Sequence, residues 1–255
     1  TDIKKLAELA HSFDIPLIMD NTVATAYLVK PLSLGADIVV NSTSKYINAN
    51  SSAISGVITD GGKFKWDTEK YPGMKDFKKF GPFAYTAKLR NGLFRNTGAC
   101  LSPQNAFYNS IGMETLGLRM ERVCDNAKTL AQFFATEYSD IEVNYPGLAG
   151  SKWHNIATEQ FGDKFGGIIT IRTGNKKRAF GIIDALKLPL IVSNIGDTKT
   201  LVIHPESTLN VHSTQEEKET AGVFDDLIRI SVGIEDIEDL IDDFKQAIES
   251  VKDVY

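Results

Sequence analysis

Three short apolar runs, each closed by polar or turn-forming residues, fall within the first sixty positions and constrain this chain more than any other feature. Ile15-Pro16-Leu17-Ile18-Met19 ends at Asp20, Ala36-Asp37-Ile38-Val39-Val40 at Asn41-Ser42, and Ile54-Ser55-Gly56-Val57-Ile58-Thr59 at Asp60-Gly61-Gly62. Runs of this length read as strands, and their nearly continuous apolar character suits a sheet covered on both faces. The chain opens directly on an amphipathic helix, apolar at Ile3, Leu6, Leu9 and Ala10, so helix and strand alternate from the first residues. In α/β sheets of this kind ligands bind just beyond the strand ends. Asp20 and the segment from Ser42 to Lys45 hold those positions.

Residues 63 to 100 are turn-rich and aromatic, without firm periodicity. A long helix is then expected over 102–135, with Ser102 as N-cap and Pro103 at its first position. Its apolar stripe is Leu116, Met120, Val123, Ala127, Leu130 and Phe134, and its length suits a connection between two domains. From Tyr145-Pro146-Gly147 onward the pattern becomes α+β. Strands are expected over Gly167–Arg172, Leu201–Ile203 and Leu227–Val232, and helices over Arg178–Leu186 and from about Glu235. The expected division is 1–101, 102–135 and 136–255.

Composition removes several classes of function. A net charge of −5 is the wrong sign for a general binder of the nucleic-acid backbone, and the lysine clusters at 75–79 and 176–178 are short and broken. No apolar run approaches the roughly 20 residues of a membrane span. The two cysteines, Cys100 and Cys124, form no CxxC motif, which favours a reducing, cytoplasmic setting. Four histidines share no metal-ligand spacing, so no metal site is expected, and there is no GxSxG elbow, Walker loop or GxGxxG.

One dense cluster remains: Asp20-Asn21-Thr22 and Asn41-Ser42-Thr43-Ser44-Lys45-Tyr46. Taken singly, Asp20 is a turn or cap residue, Ser42 and Ser44 are loop hydroxyls, and Lys45 is a solvated charge. Taken together, an acid and a hydroxyl-rich turn with a lysine end two strands separated by one crossover. A pyridoxal phosphate (PLP) site requires that set: a lysine for the Schiff base, a carboxylate to keep the pyridinium nitrogen protonated, and donors for the phosphate. Hydroxyls two residues apart in a turn can face one phosphate.

The stretch from Ile15 to Ile47, IPLIMDNTVATAYLVKPLSLGADIVVNSTSKYI, followed by ISGVITDGG, resembles the cystathionine/methionine metabolism (transsulfuration) family of PLP enzymes, its O-acetylhomoserine sulfhydrylase branch above all. GACLSPQNAFYNSIGMETLGLRMERVCDNA, FGGIITI, SNIGDTKTLVIHPEST and LIRISVGIEDIEDLIDDF extend the resemblance over essentially the whole chain. It implies the α/β fold of PLP-dependent transferases (aspartate aminotransferase-like, fold type I): the C-terminal part of the large domain, then a smaller α+β C-terminal domain. By the same resemblance Lys45 is the Schiff-base lysine, Asp20 the partner of the ring nitrogen, Ser42 and Ser44 phosphate ligands, and Thr22 packs against the ring. Arg229, opposite the apolar face of Ile228, Ile230 and Val232, and Asn194 in the SNIGD turn would hold the substrate α-carboxylate.

The implied reaction is γ-replacement on O-acetylhomoserine by sulfide or methanethiol, giving homocysteine or methionine and acetate. The family alternatives are cystathionine γ-synthase and the γ-lyases; outside enzymology, the alternative is a silent, fold-retaining fragment. The resemblance implies a homo-oligomer, a dimer of dimers, with no nucleic-acid or membrane partner. It begins well inside the large domain, so these residues correspond to a C-terminal portion, and weak PLP binding with little activity is expected of the chain alone. Three departures stand out. Asn48-Ala49-Asn50-Ser51 stands in place of a Gly-Gly-His-Gly-like run, Asn210 in place of a histidine, and Ala26 in place of a proline.

Overall fold

The structure, a computed structural model, describes residues 1–252. The chain divides into two compact units. The first takes residues 1–48 and 52–112; the second takes 49–51 and the chain from Met113 onward.

In the first unit, helix α1 (Ile3–Ser12) is capped by Asp2, whose side chain accepts the Lys5 N–H at 3.1 Å, and buries Ile3 and Ala7. Strand β1 is shorter than the apolar run that announces it, Ile18–Asp20. Pro16 has no N–H for a ladder. The buried Asp37 carboxylate instead takes the Leu17 N–H at 2.8 Å, and Leu17 O accepts the Asp37 and Ile38 amides. A short helix α2 (Thr25–Leu28) leads towards β2 (Ile38–Ser42), which runs parallel to β1 with Asp20 opposite Val40. Strand β3 (Gly56–Asp60) closes the sheet antiparallel to β2, in the order β1-β2-β3.

The apolar run at β3 suggests a covered strand, yet Gly56 to Thr59 are exposed. Among the described residues β3 pairs with β2 alone, at one edge of the sheet, and little packs over its faces. Beyond it, the aromatic stretch forms 3-10 turns over Pro72–Phe83, helix α3 (Ala84–Lys88), a π-helical segment over Leu89–Phe94, and the short α4 (Arg95–Thr97).

The long connecting helix expected over 102–135 is two helices, α5 (Pro103–Glu114) and α6 (Leu116–Glu137). Ser102 does cap the first, its Oγ accepting the Asn105 N–H at 3.1 Å. Thr115 interrupts the run with φ −108° and ψ 3°, and its Oγ1 accepts from Arg119 Nε at 3.0 Å. The apolar stripe read from the sequence lies wholly on α6. The boundary between units falls at 112–113, so α5 belongs to the first and α6 to the second.

The second unit adds β4 (Glu142–Asn144), α7 (His154–Phe161), β5 (Ile168–Arg172), α8 (Lys176–Ala185), β6 (Leu190–Ile191), β7 (Leu201–Ile203), α9 (Gln215–Thr220), β8 (Leu227–Ser231) and α10 (Ile237–Ser250). Its five strands are ordered β4-β5-β8-β7-β6, antiparallel except for β6 with β7. The core joins Leu130 and Phe134 of α6, Ile182 of α8, and Leu240, Phe244 and Ile248 of α10 to Ile169, Ile171, Ile228 and Ile230 of the sheet. Phe134 meets Phe244 edge-on at 5.2 Å between ring centres. This α+β arrangement is the one expected after residue 145.

Candidate active site

The parallel pairing of β1 with β2 decides the geometry of the site. With Asp20 opposite Val40, Ser42 lies two residues further along the same face. The acid and the first hydroxyl of the turn therefore share one face and one end of the sheet. Both line a cleft of about 760 Å³ that also includes Val40, Asn41, Gly56, Val57, Ile58, Thr86, Arg90 and Cys100.

Thr22 joins the two. Its N–H donates to Asp20 Oδ1 at 2.9 Å, and its Oγ1 accepts the Ser42 N–H at 2.8 Å. Lys45 follows three residues after Ser42, half-buried, with its N–H on the Ser42 carbonyl at 3.4 Å. Ser44 is engaged on its other side: its Oγ accepts the Ser55 N–H at 2.9 Å and donates to the Ser55 carbonyl at 3.2 Å. A phosphate ligand must donate its proton, so Ser44 serves one only by turning that proton away from Ser55.

The donor set suits pyridoxal phosphate. The Asp20 carboxylate and the Ser42 hydroxyl line the cleft and can accept from a protonated ring nitrogen and donate to a phosphate, while Ser44 and the Lys45 amine follow in the same turn without being among the lining residues. Among the described residues no three His, Cys, Asp or Glu side chains gather as a metal site, and no helix is long and apolar enough to cross a membrane.

Arg229 and Asn194 lie in the second unit, on β8 and on the loop before β7. They are in contact: Arg229 Nη2 donates to the Asn194 carbonyl at 3.1 Å. The flanking Ile228 and Ile230 are fully buried, which fixes the arginine on the opposite face of β8. The Asn194 side chain donates to Ser51 Oγ at 2.6 Å, and the Gly196 N–H donates to Ser231 Oγ at 3.0 Å, tying this loop to the 49–51 segment and to β8.

Thr86, Arg90 and Cys100 in the cleft wall and Asn109 and Ser55 behind the lysine turn carry no local sequence signal for the site, whereas Asn41, also in the wall, belongs to the cluster that marks the strand end.

Residues 1–249 match the family described as Cys/Met metabolism PLP-dependent enzyme. The chain is 42% identical to an O-acetyl-L-homoserine sulfhydrylase of Corynebacterium glutamicum, over 96% of this chain and 59% of the relative. It is 39% identical to an L-methionine gamma-lyase of Fusobacterium nucleatum, over 98% of this chain and 58% of that one. A crystal structure described as an O-acetylhomoserine (thiol)-lyase from Campylobacter jejuni superposes with a TM-score of 0.91 at 34% identity, covering 98% of this chain and 62% of that one. That structure carries N'-pyridoxyl-lysine-5'-monophosphate. The chain thus spans about three fifths of the length of the curated relatives it matches.

Proposed function

Because the chain belongs to the Cys/Met metabolism PLP-dependent enzymes, we propose that it carries the lysine side of a site that replaces the γ-substituent of O-acetylhomoserine with sulfide or a thiol. The observation that carries this reading is the Thr22 bridge, which sets Asp20 and Ser42 at one sheet end, three residues before Lys45. The 42% identity to a sulfhydrylase supports the choice of substrate. When bound, PLP supplies an electron sink for the pair released at the substrate Cα.

The residues divide the remaining work. With PLP bound, Asp20 would hold the proton on the ring nitrogen, Thr22 would pack against the ring, and Ser42 and Ser44 would hold the phosphate. Lys45 would anchor the cofactor, and its amine would move protons at the substrate Cα and Cβ. Asn194 and Arg229 hold the α-carboxylate, for which a guanidinium fork is suited. Across the reaction the Cγ–O bond breaks, acetate leaves with its electron pair, and sulfide forms the Cγ–S bond of homocysteine. Assembly as a dimer of dimers and a cytoplasmic location complete the reading, the latter supported by Cys100 and Cys124 forming no disulfide with each other.

A second reading, elimination at the same γ-carbon, is favoured by the 39% identity to a methionine γ-lyase. The first test is borohydride reduction of the PLP-treated chain with peptide mass mapping. An adduct on Lys45 is expected; label on other lysines with Lys45 untouched overturns the assignment. Product analysis then separates the readings: homocysteine and acetate from O-acetylhomoserine with sulfide support replacement, and a 2-oxoacid from methionine alone supports elimination.

A further inference from the structure

The two ends of the lysine turn meet a single side chain from α5. Asn109, 9% exposed, donates through Nδ2 to Thr43 Oγ1 at 3.3 Å and to Ser55 Oγ at 2.9 Å. Its Oδ1 accepts from Asn48 Nδ2 at 3.4 Å and from Ser55 Oγ at 3.3 Å. Thr43 Oγ1 donates to Ser55 Oγ at 2.6 Å, which closes the ring of bonds. Thr43 and Asn48 bracket Lys45, and the Asn48 N–H also returns to the Thr43 carbonyl at 3.0 Å.

The Thr43 and Ser55 hydroxyl protons and one Asn48 amide proton have acceptors within the set, and the two oxygens, 2.6 Å apart, share one Asn109 N–H, so the bonds reinforce one another as in other buried polar networks. Asn48 is itself 3% exposed, and its Oδ1 takes the Ser52 N–H at 2.7 Å. It is also the first residue of the stretch that departs from the glycine-rich run of the family resemblance. The departure has a partner: an amide that glycine lacks, meeting the amide of Asn109.

We infer that Asn109, acting through Thr43 and Asn48, is a positioning residue that presets the lysine turn for the cofactor. The inference rests on the PLP reading above. By fixing positions 43, 48 and 55, Asn109 fixes the backbone that carries Ser44 and Lys45, so the phosphate donors and the amine are held in place before PLP arrives. It touches neither cofactor nor substrate in this role.

The test compares the chain with Asn109→Leu, Asn48→Ala and the double variant, using PLP titration, the yield of borohydride-fixed adduct on Lys45, and amide exchange over residues 43–48. Asn126→Ala is the control. Asn126, 2% exposed, is buried still more deeply and donates to the Gly233 and Glu235 carbonyls, so its loss destabilises the second unit without touching the turn. The expected result is PLP binding weakened roughly tenfold in Asn109→Leu, the scale of one lost buried hydrogen bond. Amide exchange over the turn quickens, the double variant loses less than the sum of the two single losses because the Asn48–Asn109 bond is common to both, and Asn126→Ala keeps the parent affinity. Asn48→Ala keeps the result readable should Asn109→Leu fold poorly. Adduct on Lys45 in the parent with unchanged affinity and exchange in both single variants overturns this inference alone. No adduct on Lys45 in the parent, with other lysines labelled, overturns the PLP reading and this inference together.

Discussion

Thr22 Oγ1 accepts the backbone N–H of Ser42 at 2.8 Å, so the turn after β1 and the end of β2 are locked to each other across the sheet. The bond matters because the residues it aligns, Asp20 and the 42–45 turn, are those the proposed chemistry needs at one place.

Replacing Thr22 with Val keeps the shape and leaves the Ser42 N–H without its acceptor. We expect a loss of about 1–2 kcal/mol in urea unfolding and weaker PLP binding in titration, with Thr22→Ser restoring both. An unchanged unfolding midpoint would mean that solvent takes over the Ser42 amide without cost.

Asp20→Asn separates stability from chemistry. Asp20 Oδ1 accepts the Thr22 N–H at 2.9 Å, and an amide oxygen can do the same. The thermal midpoint should therefore hold, while a neutral amide no longer keeps the ring nitrogen protonated. On the proposed reading PLP binding to the chain should weaken by roughly tenfold, as measured by PLP titration with borohydride fixation on Lys45.

Gly112 faces the segment after the lysine. A Cβ there would sit 2.2 Å from the Ile47 carbonyl oxygen and 2.9 Å from the Asn48 carbonyl, both backbone atoms with little freedom to yield. Gly112→Ala should cost about 3 kcal/mol and reduce the fixed adduct on Lys45, read by denaturation and mass mapping.

Glu206 gives a pH signature outside the site. Hydrogen bonds from Lys176 at 2.8 Å and Lys218 at 2.5 Å hold its carboxyl down to about 2. A lowered folded-state value favours the ionised form. The stabilisation is thus complete above the unfolded carboxyl value of about 4.3 and fades as pH falls towards 2. Glu206→Gln should lower the thermal midpoint at pH 7, and the gap to the parent should narrow steadily below about pH 4.5.

Much of this was legible in the sequence because strand ends announce themselves. The apolar runs stop at Asp20 and at Asn41-Ser42, and both stops survive in the structure. Other features had no local signal. Asn109 lies 66 residues from Thr43, and nothing in the α5 pattern marks one asparagine as a clamp. Strands β4 and β6, of three and two residues, are too short for an alternation to be read. The break at Thr115 is invisible because the stripe resumes at Leu116, and propensity alone tolerates a threonine inside a helix. The exposure of β3 was missed for a different reason: apolar composition reports what a strand could bury, while its place in the sheet order decides what covers it.

The buried Asp37 carboxylate has a consequence beyond the strand entry it caps. It takes the Leu17 N–H at 2.8 Å and meets His11 Nε2 at 2.8 Å, so the last turn of α1, the approach to β1 and the start of β2 hang from one side chain. These three pieces loosen together or not at all.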